Sequence, residues 1–129
     1  MLSFSYVAAP FRISIVDDDA SVREALCRLL KSVGFAVRAF ASAEEYSSSN
    51  QPGNTECLLL DVRMPGRSGI ELQRELAAGH SKIPVIIITA YEDESVRAQA
   101  MRYHARDILI KPFSEEALLN AISKASTTR

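Results

Sequence analysis

The chain has little that would staple it together or hold it in a membrane. Cysteine occurs twice, at Cys27 and Cys57, each inside an apolar pattern. This excludes a disulfide framework or a cysteine-based metal site and fits a reducing cytoplasm. Neither sign of charge is in excess: 15 basic against 16 acidic residues leave a net −1. No global field therefore draws the chain to nucleic acid or to an anionic membrane. Long hydrophobic runs are missing: the longest, Ile83 to Ile88, falls far short of the ~20 residues of a bilayer span. The apolar lead-in, Met1 to Pro10, has neither a basic start nor a small-residue cleavage pattern, so it does not read as a signal peptide. No repeat recurs at solenoid periods.

What is present suits one globular domain. A chain of 129 residues is of single-domain length, and folding at this size buries about two-thirds of the unfolded surface. A composition of 47% hydrophobic and 24% charged residues argues against disorder.

Short apolar runs alternate with helical patterns. Arg12–Val16 reads as a strand. Val22, Ala25, Leu26, Leu29, Leu30 and Val33 then mark one helical face, with Ser21 and Glu24 as a capping box and Gly34 as the stop. Ala36–Phe40 reads as a strand, and Ser42 with Glu45 opens a short helix to about Ser48. The stretch from Ser47 to Asn54 is a loop by composition, and Cys57–Leu60 is a central parallel strand that Asp61 ends. A loop from Met64 to Gly69 leads into a helix over Ile70–Ala78 closed by Gly79, and Pro84–Thr89 is the clearest strand. Glu92–Tyr103 is a helix, Asp107–Ile110 a strand ended by Lys111-Pro112, and Ser114 caps a last helix to about Ser126. Strict alternation of strand and helix implies an α/β fold, a five-stranded parallel sheet with helices on both faces. Ligands of such sheets bind at the carboxyl ends of the strands.

The residues at those ends are Asp17-Asp18-Asp19 after the first strand, Asp61 after the third, Thr89 after the fourth and Lys111 after the fifth. Any one of these has a plain structural reading: a turn or cap aspartate, a β-forming threonine, a solvated lysine. Together at one sheet edge they predict a site. Converging carboxylates repel unless a cation intervenes, and hard oxygen ligands suit Mg²⁺. Asp61, standing alone at the central strand, is the best nucleophile toward a phosphoryl group, and Asp17 and Asp18 are better as metal ligands. Lys111 would supply charge and Thr89 a hydrogen bond to the phosphoryl oxygens.

These stretches, Val16-Asp-Asp-Asp19, Leu60-Asp-Val-Arg-Met-Pro-Gly-Arg-Ser-Gly69, Ile88-Thr-Ala90 and Ile110-Lys-Pro-Phe113, resemble the motifs of the bacterial response-regulator receiver domain. The likeness is greatest to receivers of the FixJ and NarL class, which usually precede a helix-turn-helix output domain. The resemblance implies the doubly wound flavodoxin- and CheY-like three-layer (βα)5 sandwich. It divides the chain into a lead-in over 1–10, a receiver over 11–126 and a tail over 127–129. It makes Asp61 the phosphoacceptor for a sensor histidine kinase. Mg²⁺ would be held by Asp17, Asp18, Asp61 and the backbone carbonyl of Arg63, with Thr89 and Lys111 on the phosphoryl group and a cis bond before Pro112.

Ile108 stands where the family often has Tyr or Phe, so aliphatic repacking is expected in place of a ring swing. His104 stands in a turn where many relatives have Gly, and histidine tolerates a positive φ there. The resemblance implies that Arg63 and Tyr91 occupy two positions that vary in the family and tune phosphate lifetime; both are bulky, so slower loss than with small residues is expected. The face made by the fourth helix and fifth strand, with Arg97, Met101, Arg102 and Ile108, is a candidate phosphorylation-dependent dimer or partner surface.

The leading reading is a phosphoacceptor switch in transcriptional control, without turnover beyond its own phosphorylation and dephosphorylation and without direct DNA contact. A stand-alone or degenerate receiver acting by binding alone is the alternative, since the chain ends almost where the receiver ends. A haloacid-dehalogenase-like phosphatase matches only formally, through Asp17-x-Asp19, and there is no length to spare for a lid. A flavodoxin-like cofactor binder is disfavoured by three aspartates where its phosphate loop would lie.

Overall fold

A computed structural model describes residues 9–64, 66–90 and 93–127. The elements are β1 (Arg12–Val16), α1 (Ala20–Val33), β2 (Ala36–Phe40), α2 (Ala43–Ser48), β3 (Cys57–Asp61), α3 (Gly69–Ala78), β4 (Val85–Thr89), α4 (Glu94–Arg102), β5 (Asp107–Ile110) and α5 (Glu115–Thr127), with a 3-10 turn at Gln51–Gly53. All strand pairs are parallel, in the order β2-β1-β3-β4-β5. The predicted fold class is the observed one. The lead-in, apart from its last two residues, lies outside the described residues, and α5 runs one residue into the expected tail.

The sheet separates two apolar layers because side chains alternate along each strand. Cys57 and Leu59 join Ile13, Ile15, Leu26, Leu30, Leu118 and Ile122 in one layer. Leu58 and Leu60 join Val16, Phe40, Tyr46, Leu72, Ile87 and Ala100 in the other. β3 and β4 are buried along their whole length, as strands covered on both faces must be.

Several local expectations need correction. Asp19 caps α1, in keeping with its reading as a turn or cap aspartate, and the Ser21 capping box does not form: the Asp19 carboxylate accepts from the amides of Ser21 and Val22, so the helix starts earlier, and the Ser21 hydroxyl donates to it at 2.7 Å. Ala25 and Val33 of the apolar stripe are exposed, Val33 to 49%. Leu26 and Leu30 of the same stripe are buried, Leu30 fully, so the last turn of α1 packs through Leu30 while Val33 faces solvent. The left-handed residue after α3 is His80 (φ 60), one position beyond Gly79. α4 starts later than expected because Asp93 caps it; Glu92 lies outside the described residues. His104 has a positive φ, 70, in the turn where histidine tolerates one.

Candidate functional site

β1 leads on to β2 on one side of the sheet, and β3 leads to β4 and β5 on the other. The crevice where strand order reverses lies between the carboxyl ends of β1 and β3, and Asp17 and Asp61 stand there. Asp61 is the last residue of β3, 5% exposed. Asp17 follows β1 and is fully buried. Asp18 is exposed beside them, and the three can present carboxylate oxygens all within 4.8 Å of one another.

Burying that charge requires partners. Asp17 Oδ1 accepts from the Asp19 amide at 2.9 Å, and its Oδ2 accepts from Lys111 Nζ at 2.8 Å. Lys111 Nζ also lies 3.8 Å from Asp61 Oδ1. Burial opposes the charge on Lys111, but the hydrogen bond to Asp17 and the charges of Asp61 and Asp17 outweigh it and raise its pKa. Asp61 is driven the other way for a carboxyl. Burial first, then the neighbouring Asp17 charge, lift it to about 7, against Lys111, which lowers it. The lysine thus does not fully offset the acidic cluster. A hard dication suits a donor set of this kind, so the residues fit Mg²⁺.

The Asp19 carboxylate is not one of the three that converge, although its charge acts on Lys111. Hydrogen bonds from the Ser21 hydroxyl and the Val22 and Ser21 amides hold the Asp19 carboxyl below the ordinary range. The Asp17-x-Asp19 pattern therefore does not form a second acidic pair.

Other elements aim the remaining groups. Thr89, the last residue of β4, is 2% exposed, and its carbonyl accepts from the Lys111 amide at 2.7 Å, which ties the ends of β4 and β5 together. The Lys111–Pro112 bond is cis. The loop after β3 is fixed at both ends. At Gly69, which opens α3, a Cβ would overlap the carbonyl oxygen of Asp61, so only glycine lets α3 start this close to the strand. The Gly69 amide bonds the Val62 carbonyl at 3.0 Å.

Sequence reasoning missed four supports. Ser68 and Glu71 form a reciprocal capping box at the head of α3, a Ser-x-x-Glu signal present in the sequence. Arg67 clamps the loop to α2 and α3 through the Ala43 carbonyl, Ser47 Oγ and Glu75. Arg23 reaches the Asp17 carbonyl at 2.8 Å. Asp93 meets Arg63 at 3.8 Å. No sequence pattern announces the last three, because each joins separate elements. Ile108 is half-buried and packs against the layer that holds Leu60 and Ile87, while Met101 is 53% exposed. Tyr91 lies outside the described residues.

Comparison with known proteins matches residues 13–123 to the response regulator receiver domain. Nodulation protein W of Bradyrhizobium diazoefficiens is 45% identical over 114 residues, which cover 88% of this chain and 50% of that protein. Transcriptional regulatory protein TdiR of Thauera aromatica is 40% identical over 113 residues, with the same two shares. The solved structure of FixJ-N superposes with a TM-score of 0.84 at 35% identity, covering 95% of this chain and 98% of that one. The chain spans about half the length of the curated relatives it matches. No helix among the described residues is long and apolar enough to cross a membrane.

Proposed function

The chain belongs to the response regulator receiver family, and from that premise we propose that it is a phosphoacceptor switch whose Asp61 takes a phosphoryl group from a sensor histidine kinase. The observation that carries this is the buried Asp61 beside Asp17, Asp18 and Lys111 at the strand-order switch point. An Asp61 oxygen attacks phosphorus, a P–O bond forms, and the P–N bond to the kinase imidazole breaks, its electron pair leaving with the nitrogen, which takes up a proton. Lys111, already drawn between Asp17 and Asp61, is placed to meet charge on the transferring group. Thr89 offers its hydroxyl from the neighbouring strand end. Asp17, Asp18, Asp61 and the Arg63 carbonyl would hold Mg²⁺, which when bound offsets carboxylate repulsion and phosphoryl charge.

The only reactions in this reading are gain and loss of the chain's own phosphoryl group, in the cytoplasm. The modified state biases two conformations. The α4/β5 face, with Met101 exposed and Ile108 half-buried, passes the change to a second copy or to an output segment in transcriptional control. The domain itself makes no DNA contact. Intact mass after incubation with acetyl phosphate, with and without Mg²⁺, tests the reading. A single Mg²⁺-dependent phosphoryl adduct, absent from Asp61→Asn, is expected. No adduct under any condition withdraws the roles given to Asp61, Thr89 and Lys111.

A further inference from the structure

Asp93 faces two ways. Its Oδ1 accepts from the amides of Ser95 and Val96 at 2.8 and 3.4 Å and so caps α4. Its Oδ2 lies 3.8 Å from Arg63 Nη2. Arg63 follows Asp61 by two residues, so their Cα atoms are at most about 7 Å apart, within the span of an arginine side chain. One carboxylate therefore links the loop after the phosphoacceptor to the first turn of the helix on the candidate output face.

We propose that Asp93 is a positioning residue for Arg63: it holds the guanidinium at the head of α4 while Asp61 is unmodified, and loses it to the phosphoryl group once Asp61 carries one. This rests on the phosphoacceptor reading above. The exchange is downhill. The Arg63–Asp93 pair is loose and solvent-exposed, 58% and 41% at the two side chains, and such pairs are weak and screened. An aspartyl phosphate offers nearly two negative charges and several strong acceptors to a guanidinium built for bidentate contact. Arg63 then covers the phosphoryl group, and Asp93 keeps only its cap. The loop and α4 are thereby coupled through charge, in a chain whose β5 has Ile108 in place of a ring.

A double-mutant cycle isolates the effect. Asp93→Asn keeps an oxygen to cap α4 but removes the charge that competes for Arg63. Phosphate loss is hydrolysis: water oxygen bonds phosphorus, the P–O bond to Asp61 breaks, and carboxylate and dihydrogen phosphate are released. After acetyl phosphate is removed, intact mass follows the adduct with time in Mg²⁺. Asp93→Asn is expected to lengthen the half-life about two- to five-fold, the size of shift that loss of one exposed ion pair allows. Arg63→Ala is expected to shorten it, and Asp93→Asn to change nothing in the Arg63→Ala background; Asp93→Glu keeps the wild-type half-life. Amide NMR gives a second readout. Phosphorylation is expected to shift Ser95 and Val96 in the wild type and at most half as far in Arg63→Ala. An Asp93→Asn effect equal in both backgrounds, or none in either, reduces Asp93 to a helix cap and overturns the inference while the phosphoacceptor reading stands. A wild-type chain that takes no phosphoryl group overturns both.

Discussion

Replacing Asp61 by asparagine should stabilise the metal-free protein, and the size of the gain should depend on pH. In the folded chain, burial and the Asp17 charge lift this carboxyl from 3.8 to about 7. The unfolded chain releases the proton near the ordinary value, while the folded chain keeps it until about pH 7. Between the two, the unfolded state binds fewer protons, so stability falls as pH rises through that window and is flat above it. The rise from 3.8 to about 7, at about 1.36 kcal/mol for each tenfold change in acidity, sets a ceiling of about 4 kcal/mol. The site opens to solvent at Asp18 and Lys111, and screening there reduces the expected gain to about 1–2 kcal/mol. Urea denaturation followed by circular dichroism, in chelator from pH 4 to pH 8.5, measures it. Asp61→Asn should match the wild type at the acidic end and exceed it by that amount at pH 8. Mg²⁺ should then stabilise the wild type more than the variant, since binding to the folded state alone adds stability with ligand concentration. Lys111→Met is the opposite control: it strips the fully buried Asp17 carboxylate of its 2.8 Å partner and should destabilise at pH 8 by about 3 kcal/mol. An Asp61→Asn chain no more stable than wild type at pH 8, or a gain that grows on acidification, would refute the burial and like-charge argument.

Two further outcomes follow from the packing. Gly69→Ala pushes a methyl group against the Asp61 carbonyl, so it should cost about 1–3 kcal/mol in urea melts and slow adduct formation with acetyl phosphate. Cys57 is fully buried in β3 and burial pushes its thiol up to about 12. Iodoacetamide at pH 8 should therefore leave it unlabelled in the native protein and label it in urea, as read by peptide mass spectrometry.

The elements were legible because their causes are local. β-branched and apolar runs bounded by glycine, proline and aspartate mark strands, and a 3.6-residue period marks α1. The grouping of polar residues was legible because a parallel sheet returns every strand end to one edge, so Asp17, Asp61, Thr89 and Lys111 were bound to share it. Boundaries failed where two local signals competed: Asp19 and Ser21 can each cap α1, and only the backbone at Asp19 decides between them. Val33 fits its helical stripe yet is exposed, because a period records which way a side chain faces and not whether a sheet lies beneath it.

By itself, then, the sequence determined the alternation of strands and helices, the apolar faces and the polar groups at the strand ends, all set by neighbours a few residues away. Tertiary structure alone decided that β1 lies beside β3, which buries Asp17 and Asp61 together and lifts the Asp61 carboxyl. It alone seated Lys111 on Asp17 across 94 residues of chain, turned Arg63 toward Asp93 and set Gln73 of α3 on the Ala100 and Tyr103 carbonyls at the end of α4. Such contacts join side chains far apart in sequence; they arise only once the sheet has ordered its strands, and no local spacing encodes them.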